Sequence, residues 1–155
     1  MLAQAQKPYV DSYGYVAIDE GSGLVSGEVL AAQVYNGDAL ALHKHNENIR
    51  YVHPEEGSSY WVDNWVLFAH APQPELAYAF LNFINDPKNA AANAQSVSFA
   101  TCNKGAKAFL PAEFLDDPVI YPPRDVIRRL EPYKILSPRT VRKLNSLFSQ
   151  IIKER

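Results

Sequence analysis

Val29-Leu30-Ala31-Ala32-Gln33-Val34-Tyr35 is a nearly unbroken apolar run, and Asn36-Gly37-Asp38 closes it. A short apolar run ended by turn residues predicts a strand buried on both faces, as in the parallel sheet of an α/β chain. Asn36 or Asp38 would then cap a helix over residues 39–43. Upstream, Gly21-Ser22-Gly23 marks a turn. Downstream, Ile49-Arg50-Tyr51-Val52 reads as a second strand, stopped by Pro54-Glu55-Glu56-Gly57. Residues 58–68, rich in aromatic and β-branched side chains, read as a third and longer one.

Beyond residue 70 the pattern changes period. Leu76, Phe80, Leu81 and Ile84 share one face at helical spacing, Glu75 sits in the first turn, and Pro87 is the stop, so residues 72–86 are expected to form a helix. The alanine-rich stretch 88–95 predicts another, beginning just inside that proline. Residues 111–115, 123–130 and 138–153 are further helix candidates, each opened by a proline. The region after residue 104 is therefore expected to be helical and strand-poor. Three or four strands form a thin sheet for so many helices, a first hint that part of the sheet is missing.

A chain of 155 residues fits one ordinary domain and can bury a core without staples. Its composition, 47% hydrophobic and 21% charged, is that of a globular protein. No apolar run approaches the ~18–20 residues of a membrane-spanning helix, which argues against membrane insertion. The single cysteine, Cys102, excludes an internal disulfide. A net charge of −2 argues against a general nucleic-acid binder. The charge is unevenly placed, however: residues 128–155 hold eight Lys/Arg and two Asp/Glu, and residues 1–127 hold seven and fifteen. An acidic body suits a cationic ligand, and a basic tail suits an anionic surface or a solvated helix face. The opening Met1–Lys7 lacks the basic start and apolar core of a secretory signal.

Signals for catalysis are weak. There is no phosphate-binding loop, no dinucleotide fingerprint and no nucleophile elbow, and nothing asks for a cofactor. Cys102 reads as a partly buried, inert thiol. The pairs Glu55-Glu56 and Asp116-Asp117 fall in turn-like sequence, where neighbouring carboxylates point apart. His43, His45, His53 and Glu55 could supply four metal ligands, but the first two sit in a polar, loop-like stretch. The alternatives to a binding protein are thus a small metal- or thiol-dependent enzyme, or an interaction fragment docking through its basic C-terminal helix and Arg139, Arg142 and Lys143. The aromatics say more. In Tyr60-Trp61-Val62-Asp63-Asn64-Trp65, strand alternation puts Trp61, Asp63 and Trp65 on one face. A buried carboxylate needs a partner, whereas an aspartate among tryptophans can grip an organic cation through charged hydrogen bonds and ring faces. A strand end with core tryptophans and a cap-like aspartate would read the same way.

Several motifs arrive in a familiar order: Ser26-Gly27-Glu28-Val29, Tyr35-Asn36-Gly37-Asp38, Pro54-x-Glu56-Gly57, Trp61-Val62-Asp63, Ala77-Tyr78-x-Phe80-Leu81-Asn82-Phe83, Asn103-Lys104, and Ile120-Tyr121-Pro122-Pro123 with Asp125-Val126. From about residue 7 onward the chain resembles the C-terminal half of bacterial periplasmic spermidine/putrescine-binding proteins, the substrate-binding components of polyamine ABC transporters. The Tyr-Pro-Pro segment leans toward the putrescine-type branch.

The resemblance implies a periplasmic-binding-protein-like (type II) α/β clamp of two hinged lobes, of which this chain would hold the C-terminal portion. Residues 1–57 would belong to one lobe, 58–110 to the other, and 111–155 to a helical tail running back. It also implies a periplasmic setting, an ABC transporter permease as partner, and no enzymatic activity. Carried over by motif, Asp63 would bind one ammonium, with Trp61, Tyr35 and Phe99 walling the methylene chain. Asp38 would also touch ligand, and Tyr133 would add a looser polar contact. Tyr35 stands where the family commonly has tryptophan, and Phe99 where it has tyrosine. Exposed edges of an incomplete sheet would seek either a separate N-terminal half or a second copy of the chain.

Overall fold

A computed structural model of the chain describes residues 5–10 and 14–153. Met1–Gln4, part of the stretch inspected for a signal, lie outside it, as do the last two residues of the basic tail. The described residues open with a 3₁₀ turn at Lys7–Tyr9 and continue through seven helices and two strands: α1 (Gly23–Ser26), α2 (Asn36–His43), β1 (Ser58–Tyr60), α3 (Pro74–Asn85), α4 (Pro87–Val97), α5 (Ala112–Leu115), α6 (Arg124–Ile127), β2 (Leu130–Pro132) and α7 (Pro138–Lys153). A second 3₁₀ turn, Gly105–Phe109, follows α4. None of the described helices is long and apolar enough to cross a membrane.

The strand expectations need correcting. Residues 29–35 form no ladder with any described residue, and Leu30 is 94% exposed. A doubly buried strand needs neighbours at its edges and a layer on each face, and the described residues supply neither. The Gly21-Ser22-Gly23 turn instead leads into α1, whose first turn is capped by Ser22 and which Gly27 ends in the left-handed conformation at φ 81°. Residues 49–52 are likewise unpaired with any described strand. Of residues 58–68 only Ser58–Tyr60 joins a sheet, and Phe68 is 82% exposed. The partner is β2, in parallel register Ser58↔Leu130, Ser59↔Glu131, Tyr60↔Pro132.

A strand at 130–132 overturns the strand-poor reading of the C-terminal region. The expected helix over 123–130 shrinks to the single turn of α6. Pro132 concealed β2, because proline cannot donate to a ladder and is tolerated only at a sheet edge. In a two-stranded pair every strand is an edge.

The helices follow local chemistry more closely. α3 begins at Pro74, two residues later than expected. Asp86 ends it and caps α4, its carboxylate accepting from the N–H groups of Lys88 (3.0 Å) and Asn89 (3.4 Å). Pro87 occupies the first position, where its missing N–H costs nothing. Ala90, Ala91 and Ala94 of α4 let the second 3₁₀ turn approach closely through Ala106. With Leu110 they form the core, flanked by Phe114 and Leu115. Asn103 ties this unit together: its amide donates to Asn85 O (2.7 Å) while its oxygen accepts from Gly105 N (2.9 Å). Ser137 Oγ accepts from Thr140 N at the start of α7 (3.2 Å).

Candidate ligand-binding site

The β1/β2 register builds the site. Carried one residue past its last pair, the parallel offset sets Trp61 beside Tyr133, and their ring centroids lie 5.8 Å apart at 47°. Tyr35, the residue preceding α2, meets Trp61 edge-on at 4.6 Å and 62°. Three segments distant in sequence thus bring three of the expected contact residues into one aromatic cluster. Trp61 keeps 40% of its surface exposed, so the cluster is open to a ligand.

The start of α2 adjoins this cluster. Contrary to expectation, neither Asn36 nor Asp38 is the cap: the helix begins at Asn36, three residues early. The Asn36 amide is engaged elsewhere, donating to the Val119 carbonyl at 2.9 Å. Asp38 lies in the first turn, where the helix dipole favours a negative charge. Burial nonetheless pushes its carboxyl above the ordinary aspartate value. Phe99 follows Ser98, which ends α4 at φ 58°. Its ring lies directly against Gly37, where an added Cβ would fall 2.7 Å from Phe99 Cε2 and Cζ. Phe99 therefore seats the Asn36-Gly37-Asp38 turn.

Asp63, two residues beyond Trp61, is exposed. The two tryptophans flanking it part company: Trp65 meets Phe80 of α3 edge-on at 5.3 Å and takes no part in the Trp61 cluster.

Cys102 is exposed, not half-buried as its sequence suggested, because it lies in the loop between Phe99 and the Asn103 staple, where no described layer covers it. Asp117 serves a turn, accepting from Val119 N at 2.8 Å. His43 Nδ1 lies 3.0 Å from the Ile49 carbonyl, and His53 packs edge-on to Tyr51 at 5.0 Å. Among the described residues no three His, Cys, Asp or Glu side chains converge as metal ligands. Gly57 and Arg129, which touch at the start of the strand pair, were not singled out from sequence. Only the Pro-x-Glu-Gly motif hinted at the first, and nothing local hinted at the second.

Comparison with known proteins agrees with this architecture. The spermidine/putrescine-binding periplasmic protein 1 of Haemophilus influenzae is 33% identical over 107 residues, which cover 69% of this chain and 30% of that protein. The putrescine/cadaverine-binding protein of Pseudomonas aeruginosa is 28% identical over 159 residues, covering 97% and 44%. The chain thus spans between 30% and 44% of the length of these two relatives. Among solved structures, the spermidine/putrescine ABC transporter substrate-binding protein PotD from Streptococcus pneumoniae superposes with a TM-score of 0.65 at 38% identity, over 76% of this chain and 36% of its own. A putative spermidine/putrescine ABC transporter from Listeria monocytogenes gives a TM-score of 0.69 at 38% identity, over 77% and 37%. The fold is that of a periplasmic binding protein in the part the chain spans. The family of bacterial extracellular solute-binding proteins matches residues 2–122, more than three quarters of the sequence, and the chain belongs to that family.

Proposed function

We propose that this chain carries part of the binding cleft of a polyamine-binding protein, the substrate-binding component of an ABC transporter that works in the periplasm and delivers to a permease. The observation that carries the reading is the Tyr35–Trp61–Tyr133 cluster, with Asp38 one helical turn beyond Tyr35 and Asp63 two residues beyond Trp61. An extended polyamine is a string of methylenes punctuated by ammonium groups. Ring faces suit the methylenes and attract the cations, and carboxylates accept the ammonium hydrogens. The acidic balance of residues 1–127 adds a favourable long-range field. Relatives named for spermidine and putrescine support the same ligand class.

The test is calorimetric titration of the chain with putrescine and with spermidine at low salt, beside Trp61→Ala. Saturable binding that weakens about tenfold or more in the variant is expected, since a desolvated cation–π contact is worth up to ~2 kcal/mol. Binding of equal strength in a folded Trp61→Ala protein would overturn the assignment of the site.

A further inference from the structure

Gly57 and Arg129 stand one step before the first β1/β2 pair, at the same parallel offset that later sets Trp61 beside Tyr133. Gly57 adopts φ 98°, a left-handed conformation suited to glycine. A Cβ there would collide with the Arg129 carbonyl oxygen and lie 3.2 Å from the carbonyl carbon. The turn leading into β1 closes by Gly57 N donating to Pro54 O at 3.1 Å. Across the pair, the Arg129 guanidinium donates to the Glu55 carbonyl at 3.1 Å. A backbone approach closer than any side chain allows, and an arginine anchored to the same turn, therefore clamp both strands at their entry.

The ladder has three residue pairs and neither strand buries a face, and register is weakly specified where no face is buried unless something else pins it. A slip by one residue would turn Tyr133 to the opposite face and part it from Trp61. We infer that Gly57 and Arg129 are positioning residues for the candidate site, locking the register that seats Tyr133 against Trp61. The consequence for ligand affinity rests on the polyamine-binding reading; the effect on the rings does not.

Trp65→Phe leaves Trp61 as the sole tryptophan, so the emission reports on the surroundings of Trp61, with the Tyr133→Leu comparison isolating the contribution of that ring. In that background, Arg129→Met is expected to shift Trp61 emission while far-ultraviolet circular dichroism holds. The shift should match that of Tyr133→Leu, and adding Arg129→Met to Tyr133→Leu should change nothing further. A general structural defect would persist in the double variant. Arg129→Lys, which keeps a donor, should recover part of the signal, and Gly57→Ala should repeat the effect if it folds. Spermidine affinity should fall about threefold to tenfold in Arg129→Met, the scale of one aromatic contact. Unchanged Trp61 emission in folded Arg129→Met, or an undiminished shift in the double variant, overturns the inference. Shifted emission with unaltered spermidine affinity upholds the register lock and counts against the binding reading instead.

Discussion

Replacing Gly37 by alanine pits two effects of known size against each other. Gly37 lies in the first turn of α2 with an ordinary helical backbone, so alanine meets no conformational strain there. On propensity alone the change would stabilise the helix by about 1 kcal/mol. Yet the new methyl would sit 2.7 Å from Phe99 Cε2 and Cζ and 2.9 Å from the Val97 carbonyl oxygen. Carbon atoms prefer about 3.5–4.0 Å, so the ring and α2 must part by nearly an ångström. Phe99 cannot relieve the clash alone, because the third contact is to backbone and Asn36 holds the helix start to Val119. Overpacking of this kind costs about 1–3 kcal/mol, and the backbone contact places it toward the upper end. The net loss is then about 1–2 kcal/mol. In urea titration, with a slope of roughly 2 kcal/mol per molar, the midpoint should fall by about 0.5–1 M. Phe99→Leu should partly absorb the added methyl, so the double variant should be less destabilised than the sum of the single changes by about 0.5 kcal/mol or more. A Gly37→Ala protein as stable as the parent, or more so, would refute the packing of Phe99 on this turn.

Two shorter predictions concern other elements. Asp86→Ala removes the carboxylate that caps α4 and should cost about 0.5–2 kcal/mol, read as a lowered thermal midpoint, with Asp86→Asn recovering most of the loss. Cys102, exposed on its loop, should react with a thiol reagent at the rate of a small free thiol and without prior unfolding; a slow, denaturant-dependent reaction would contradict its placement.

What was legible in the sequence divides along the range of the interactions involved. α4 was readable because Pro87 marks its start and an alanine-rich stretch follows, all within a dozen residues, although the capping role of Asp86 was not read from the sequence. α7 was readable for the same reason, from the proline that opens it. The strands were not. Val29–Tyr35 has the composition of a central strand, but a strand is defined by its neighbours, and apolar character cannot reveal that none of the described residues pairs with it. Leu130-Glu131-Pro132 fails in the opposite direction: its proline argues against a strand, and only its edge position makes one permissible. Trp61 and Asp63 were singled out from strand alternation and the chemistry of an aspartate among tryptophans, and the other candidate residues were named by motif resemblance. That Tyr35, Trp61 and Tyr133 touch follows from a register between segments far apart in the chain, which no local pattern encodes. Phe99 was named by resemblance, as a wall of the cleft, and the packing of its ring on Gly37 is likewise a contact between distant segments that no local pattern encodes.

The two carboxylates of the candidate site differ in what a cation would gain from each. Asp63 is exposed, and an ion pair formed in water is worth about 0–1 kcal/mol. Asp38 is half-buried, and its raised pKa reflects the cost of holding the charge there. With its folded value above the unfolded one, Asp38 favours folding fully below the unfolded value. That contribution is lost as the pH rises through the folded value. At neutral pH the protein therefore bears a partly desolvated negative charge that a bound ammonium would relieve. Asp38→Asn should accordingly weaken putrescine binding about tenfold to a hundredfold, the worth of a charged hydrogen bond, and Asp63→Asn by no more than about fivefold. Affinity of the parent chain should also decline as the pH falls through the raised Asp38 titration, and this decline should vanish in Asp38→Asn. If Asp63→Asn proves the more damaging change, the ammonium is held at the exposed end of the cluster, and desolvation is the wrong basis for ranking the two carboxylates.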